Sequence, residues 1–170
     1  MNSVKLSEYL LEKKKNGEKV LVSFLTAGYP DLETFPQVLS GVLEISDLVE
    51  IGFPFSDPLA DGATIQRTSQ KVLNAGWSWE TFFRIVSPVS LRSHKPLVLM
   101  SYLNPILRYG LERCARQLAE IGFGGALFPD LPVEEGNSIE HVMNAQGIEV
   151  AYLLSPATSV KRAKAILRRS

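Results

Sequence analysis

The sequence predicts an α/β fold, a parallel sheet covered by helices, and three observations carry that prediction. Short apolar runs of strand length alternate with longer amphipathic stretches of helical period. The alternation repeats as five βα units behind one extra helix. The amphipathic stretches are long enough to serve as the crossovers that parallel strands require.

Each element has a local reason. A helix opens at Ser7 and runs to Lys15, with the triplet Lys13 to Lys15 on a solvated face. Lys19 to Thr26, KVLVSFLT, has the Val, Leu and Phe content of a buried strand. Gly28-Tyr29-Pro30 ends it, and Asp31 is placed to cap a helix that reaches about Glu44, with Glu33 in its first turn. Asp47 to Gly52 is the second strand. The stretch IGFPFSDPLADGATIQ, Ile51 to Gln66, then leads into a helix from near Gly62 to Asn74. Ser78 caps a helix from Trp79 to about Val86, and Trp77 and Trp79 read as packing residues. Pro96 to Tyr102 is the third strand. Arg108 to Ile121 is helical, with Leu111, Ala115, Leu118 and Ala119 on one face and Cys114 beside them. The FGG of Phe123 to Gly125 reads as a helix-to-strand turn, and Gly125 to Phe128 as the fourth strand. Pro132 to Gln146 is a helix closed by Gly147, and Ile148 to Leu154 is the fifth strand. Ser159 caps a last helix, Val160 to Arg169.

No composition shift or linker interrupts the pattern, so residues 1–170 read as a single domain. Strand periodicity leaves two architectures open, a doubly wound open sheet and part of a (β/α)₈ barrel.

Charge and composition narrow the function. Lys plus Arg and Asp plus Glu each total 18, which gives no electrostatic reason to expect nucleic acid or an anionic membrane. Cys114 is the single cysteine, so no internal disulfide is possible and a reducing compartment fits. The N-terminal MNSVKLSEYLLEKKK lacks the apolar core of a signal peptide, and no run of about 18 apolar residues occurs. Together these predict a cytoplasmic protein. His94 and His141 have no second histidine or cysteine at ligand spacing, so no metal site is expected. No GxGxxG or GxxxxGK[ST] motif occurs.

The chemistry gathers on one rim. Thr26-Ala27-Gly28 follows the first strand, Glu50 and the long loop the second, Tyr102 and Asn104 the third, and Asp130 the fourth. In either architecture the carboxyl ends of the strands share one side, where sites form. Glu50 ends an apolar strand, so partial burial should raise its pKa into the range useful for proton transfer. Asp61 stands at a helix start, where the dipole favours its ionised form. Two carboxylates in unlike surroundings can divide acid and base work. The plain alternative is a structural loop, with Asp57 before Pro58 a turn residue and Asp61 an N-cap. Residue chemistry leaves both open.

GFPFSDPLADGATIQ (52–66) resembles the signature segment of the tryptophan synthase alpha subunit family. FLTAGYPD (24–31), SYLNPILRYG (101–110) and GGALFPDLPVEE (124–135) agree with it in order and spacing. The resemblance implies a (β/α)₈ TIM-barrel fold with an extra N-terminal helix, here incomplete at about five βα units. It implies a lyase that cleaves indole-3-glycerol phosphate to indole and glyceraldehyde 3-phosphate in tryptophan biosynthesis. No cofactor is implied for this chain. Indole would pass to a beta subunit that uses pyridoxal phosphate, within an α2β2 assembly. Carried over residue by residue, Glu50 and Asp61 match the catalytic carboxylates. Phe24, Tyr102 and Leu127 match the indole pocket. Asp57, Pro58 and Asn104 match the surface facing the beta subunit.

Length is the main departure, since a complete barrel takes about 250 residues. Residues 1–170 reach only the fifth βα unit, at ILRRS. The family's second mobile loop and its phosphate-binding loops follow later strands. The expectation is open edges at the first and fifth strands and little or no activity from this polypeptide alone. The alternative is a non-catalytic fragment that at most binds a beta subunit. Ala63, Leu103 and Ala126 are smaller departures that leave the acid and base untouched.

Overall fold

The computed structural model describes residues 5–169. Residues 1–4, which open the N-terminal segment, and Ser170, which closes ILRRS, lie outside the described residues. Among the described residues, eight helices and five strands follow one another as α1 (Leu6–Lys15), β1 (Val22–Thr26), α2 (Phe35–Ile45), β2 (Leu48–Gly52), α3 (Ala63–Leu73), α4 (Trp79–Ser90), β3 (Leu97–Met100), α5 (Leu103–Tyr109), α6 (Leu111–Glu120), β4 (Phe123–Leu127), α7 (Asn137–Ala145), β5 (Glu149–Ala151) and α8 (Val160–Ile166). A 3-10 turn, Val133–Glu135, precedes α7.

All neighbouring strands pair in parallel, in the order β1-β2-β3-β4-β5. A doubly wound sheet reverses its strand order at a switch point, whereas a barrel adds each strand to the same side. The unreversed order selects the barrel arrangement over the open one. Alternation along the strands then divides the packing. Val49, Ile51, Leu97, Leu99, Ala126 and Val150 face the main core, with Phe35 and Leu39 of α2, Phe82 and Val86 of α4, Leu118 of α6 and Met143 of α7. The opposite face carries Leu48, Val98 and Leu127, with Met100 and Ala151 beside them, and Leu6 of α1 closes over it. The Ser7 N–H and hydroxyl both donate to the Glu149 carboxylate at 2.6 Å, tying α1 to β5.

Several elements differ from the sequence reading. FGG lies within β4, not in a turn, because Phe123 pairs with Leu97 and is wholly buried. The turn is at Gly122, whose φ of 85° suits glycine. A Cβ on Gly125 would come within 2.7 Å of Leu6, so this strand position has to be bare. The helix placed at Arg108 to Ile121 is two helices, broken at Gly110 with φ 101°. Its first part, α5, starts at Leu103, in a stretch between the third strand and Arg108 to which the sequence reading gave no element. The helix placed at Pro132 to Gln146 is likewise split at Gly136. Conversely α4 continues past Val86 through Pro88, because Val89 and Ser90 are buried. β5 is shorter than Ile148 to Leu154, since its pairing with β4 ends at Leu127↔Ala151. Among the described residues, no helix is long and apolar enough to cross a membrane.

Candidate active site

β2 is buried along its length except at Glu50. Its Cα pairs with Phe24 on β1 and with Val98 on β3. By alternation Glu50 shares its face with Leu48 and Gly52, opposite the helix layer. The carboxylate is half-buried and has no hydrogen-bond or ion-pair partner among the described residues. Glu50 sits at the middle of β2 and not at its end as the sequence suggested, and burial with nothing to offset desolvation pushes its pKa up, the direction expected.

Two residues further along, Gly52 makes room for an aromatic ring. A Cβ there would stand 2.5 Å from Phe24 Cζ, so the ring lies across the bare backbone of β2. Phe24 thereby enters a small cleft lined also by Thr26, Asp61, Ile65, Met100 and Tyr102. The Thr26 and Thr68 hydroxyls lie 2.8 Å apart, and Thr68 donates to the Ile65 carbonyl at 2.8 Å, which fixes α3 against β1.

Asp61 reaches this cleft from the loop, and its electrostatics differ from the sequence reading. The N-cap of α3 is Gly62, with no side-chain cap bond. Burial dominates at Asp61 and raises its pKa, where the helix dipole had suggested a stabilised anion. Both carboxylates are therefore shifted the same way. Any division of roles must come from position: one on a strand, the other on a loop.

Tyr102 is 5% exposed. Its hydroxyl oxygen accepts the Ala60 N–H at 2.9 Å. Burial, then the nearby Asp61 and Asp130 charges, hold that hydroxyl above its usual pKa. The next residue, Leu103, donates its N–H to both Asp130 carboxylate oxygens, at 3.1 and 3.2 Å. Asp130 thus anchors the start of α5, a task the sequence did not assign; an aspartate in a strand-end loop was the only available signal.

The remaining predicted residues fall into two places. Leu127 is buried one strand away, paired with Met100, so it borders the cleft without lining it. Asp57 is exposed and accepts from the Ser56 hydroxyl at 2.5 Å, while Pro58 is half-buried. Asn104 is exposed and lines a separate groove with Phe55, Trp77, Trp79 and Pro105. Trp79 stacks on Phe53 with centroids 4.0 Å apart and donates to the Pro105 carbonyl, so it packs the groove floor as expected. Among the described residues, no three His, Cys, Asp or Glu side chains converge as metal ligands.

Known proteins share this arrangement. The sequence profile described as tryptophan synthase alpha chain matches residues 10–170. The tryptophan synthase alpha chain of Alkaliphilus metalliredigens is 40% identical over 165 residues, covering 96% of this chain and 62% of that protein. That of Pelobacter propionicus is 42% identical over 159 residues, covering 93% of this chain and 60% of that protein. The crystal structure of tryptophan synthase subunit alpha from Legionella pneumophila superposes with a TM-score of 0.89 at 34% identity, over 100% of this chain and 65% of that one. A structure of the tryptophan synthase α2β2 complex from Pyrococcus furiosus gives 0.84 at 35% identity, over 89% of this chain and 64% of that one. The chain spans about three-fifths of the length of the curated relatives it matches. Its five βα units are thus part of an eight-fold barrel, and the chain belongs to the tryptophan synthase alpha chain family.

Proposed function

We propose that this chain carries the catalytic carboxylates of a carbon–carbon lyase that cleaves indole-3-glycerol phosphate to indole and glyceraldehyde 3-phosphate. The carrying observation is Glu50: a half-buried carboxylate without a partner among the described residues, in register with Phe24, whose ring enters the cleft that Asp61 lines.

The reaction is a retro-aldol cleavage, and the substrate itself supplies the electron sink. A proton delivered to indole C3 makes an electrophilic indolenine. Removal of the proton from the adjacent glycerol hydroxyl then breaks the bond between the ring and the glycerol chain. The bonding electrons return to the ring, and the hydroxyl carbon leaves as an aldehyde. One acid and one base suffice, and Glu50 fills both roles in turn; burial raises its pKa, which favours the protonated form that it needs to act first as the acid. Asp61 accepts a hydrogen bond from the indole N–H and stabilises the positive charge that develops there. Phe24 and Tyr102 present apolar surface to the ring, and Leu127 backs them through Met100. The scheme calls on no metal or cofactor from this chain.

The substrate phosphate would be held by loops that follow later strands in the family. Remote binding of this kind positions the reacting centre, so residues 1–170 by themselves should release little or no indole. Asp57, Pro58 and Asn104 are proposed to face a beta subunit that carries pyridoxal phosphate, in a cytoplasmic α2β2 assembly. The groove at Asn104 also supports a second reading, a fragment that binds or modulates a beta subunit without catalysis. An assay with two readouts tests both. The chain is mixed with indole-3-glycerol phosphate and a beta subunit, and indole release and the beta reaction are followed separately. The lyase reading expects trace indole at most, lost in Glu50→Gln; indole release that survives Glu50→Gln contradicts it. A stimulated beta reaction with no indole at all favours the binding reading.

A further inference from the structure

We propose that Tyr102 is a positioning residue whose hydroxyl oxygen, by accepting the Ala60 N–H, holds the Asp61 carboxylate at the cleft. This rests on the reading of Asp61 as a catalytic carboxylate. It gives the Tyr102 hydroxyl a task separate from that of the ring, which the resemblance placed in the indole pocket.

The loop between β2 and α3 has few ties to the rest of the molecule. Leu59 N–H to the Asp57 carbonyl (3.0 Å) and Asp61 N–H to the Pro58 carbonyl (3.1 Å) are internal to it. Gln66 ties the Asp61 carbonyl to α3 at 2.9 Å, the element the loop leads into. From Pro54 to Asp61, the Ala60–Tyr102 bond is the one hydrogen bond among the described residues that reaches another part of the barrel, 42 residues away in sequence. Its donor immediately precedes Asp61. On the other side of Ala60, Leu59 is 96% exposed, so solvent competes for this backbone.

The acceptor is itself well fixed. Tyr102 is buried, its successor is held by Asp130, and its ring centroid lies 5.3 Å from that of Phe55 at the start of the loop. One side chain therefore contacts both the beginning and the end of the loop. The ionised Asp61 raises the pKa of the Tyr102 hydroxyl, consistent with the two groups facing the same space. Burial is what lifts the Asp61 pKa, so a loop released to solvent should return that carboxyl toward 3.8.

Tyr102→Phe keeps the ring and removes the acceptor. In the chain as it stands, NMR reads amide exchange at Ala60 and the titration of the Asp61 carboxyl carbon. The expected result is exchange at Ala60 faster by about tenfold, the scale of one lost hydrogen bond. The Asp61 carboxyl should titrate lower than in the parent, with sheet resonances unchanged. Unchanged exchange and an unchanged Asp61 titration overturn the proposal, since the hydroxyl is then only accommodated. Loss of the sheet resonances also overturns it, because the hydroxyl would then serve the fold rather than the loop. Neither readout needs turnover. A failed cleavage assay therefore leaves this test standing, and a failed Tyr102 test leaves the cleavage reading standing.

Discussion

At the scale of the residue, Glu50 shows how a site works against the stability of its own fold. Its folded-state pKa is raised above the ordinary 4.5 by burial, so the folded chain holds this proton more tightly than the unfolded chain. Stability from this group is complete below the ordinary value and is lost as pH rises through the raised one. Glu50→Gln should therefore raise the urea midpoint at pH 7, and the gain should vanish by about pH 4. A gain that grows toward acid would mean that Glu50 is stabilised as the anion. Gly52 makes a steric counterpart. Gly52→Ala places a methyl 2.5 Å from the Phe24 ring and should cost about 1–3 kcal/mol, an overpacking penalty that Phe24→Leu in the same chain largely relieves. Equal losses in the single and double variants, read from denaturation midpoints, would show that the ring does not depend on this glycine.

At the scale of the element, local signals worked where the cause was local. Ser78 caps α4 as its spacing predicted, accepting the Thr81 N–H at 3.2 Å. Ser78→Ala should cost about 1 kcal/mol in chemical denaturation, and no change would show that solvent satisfies this helix end equally well. The strand that carries Glu50 and the helix after Gly62 were legible for the same reason, a short apolar run and a clear start. What escaped the sequence has distant causes. α5 is secured at its first N–H by Asp130, 27 residues away, so LNPILRY by itself gives no clear helix start. FGG is strand because Leu97 and Leu6 pack on it, and neither is near in sequence. Asp61 was assigned the electrostatics of a helix end, but the cleft around it decides its pKa, and that cleft exists only once β1, β3 and α3 meet. Of the residues matched to an indole pocket, Phe24 and Tyr102 line the cleft beside Asp61, whereas Leu127 lies one strand back.

At the scale of the whole molecule, five parallel strands in unbroken order hold one face against helices and the other against α1. The margins carry the mark of a partial barrel: Leu21 and Val22 at the β1 side are 52% and 49% exposed, and Leu153 beyond β5 is 56% exposed. Apolar strand edges of this kind invite pairing with further strands. The two carboxylates proposed as catalytic, by contrast, both lie inside these margins, Glu50 on β2 and Asp61 on the loop that follows it, where Asp61 lines the cleft and Glu50 stands beside Phe24 in register. Glu50 is proposed to supply the proton chemistry of a retro-aldol site. The most direct test joins residues 1–170 in register to the C-terminal remainder of the Alkaliphilus metalliredigens alpha chain and measures indole release from indole-3-glycerol phosphate. The hybrid should release indole, and its Glu50→Gln version should be slower by about 10²–10⁴-fold, the range of a lost general acid–base. A folded Glu50→Gln hybrid that releases indole at the parent rate would contradict it.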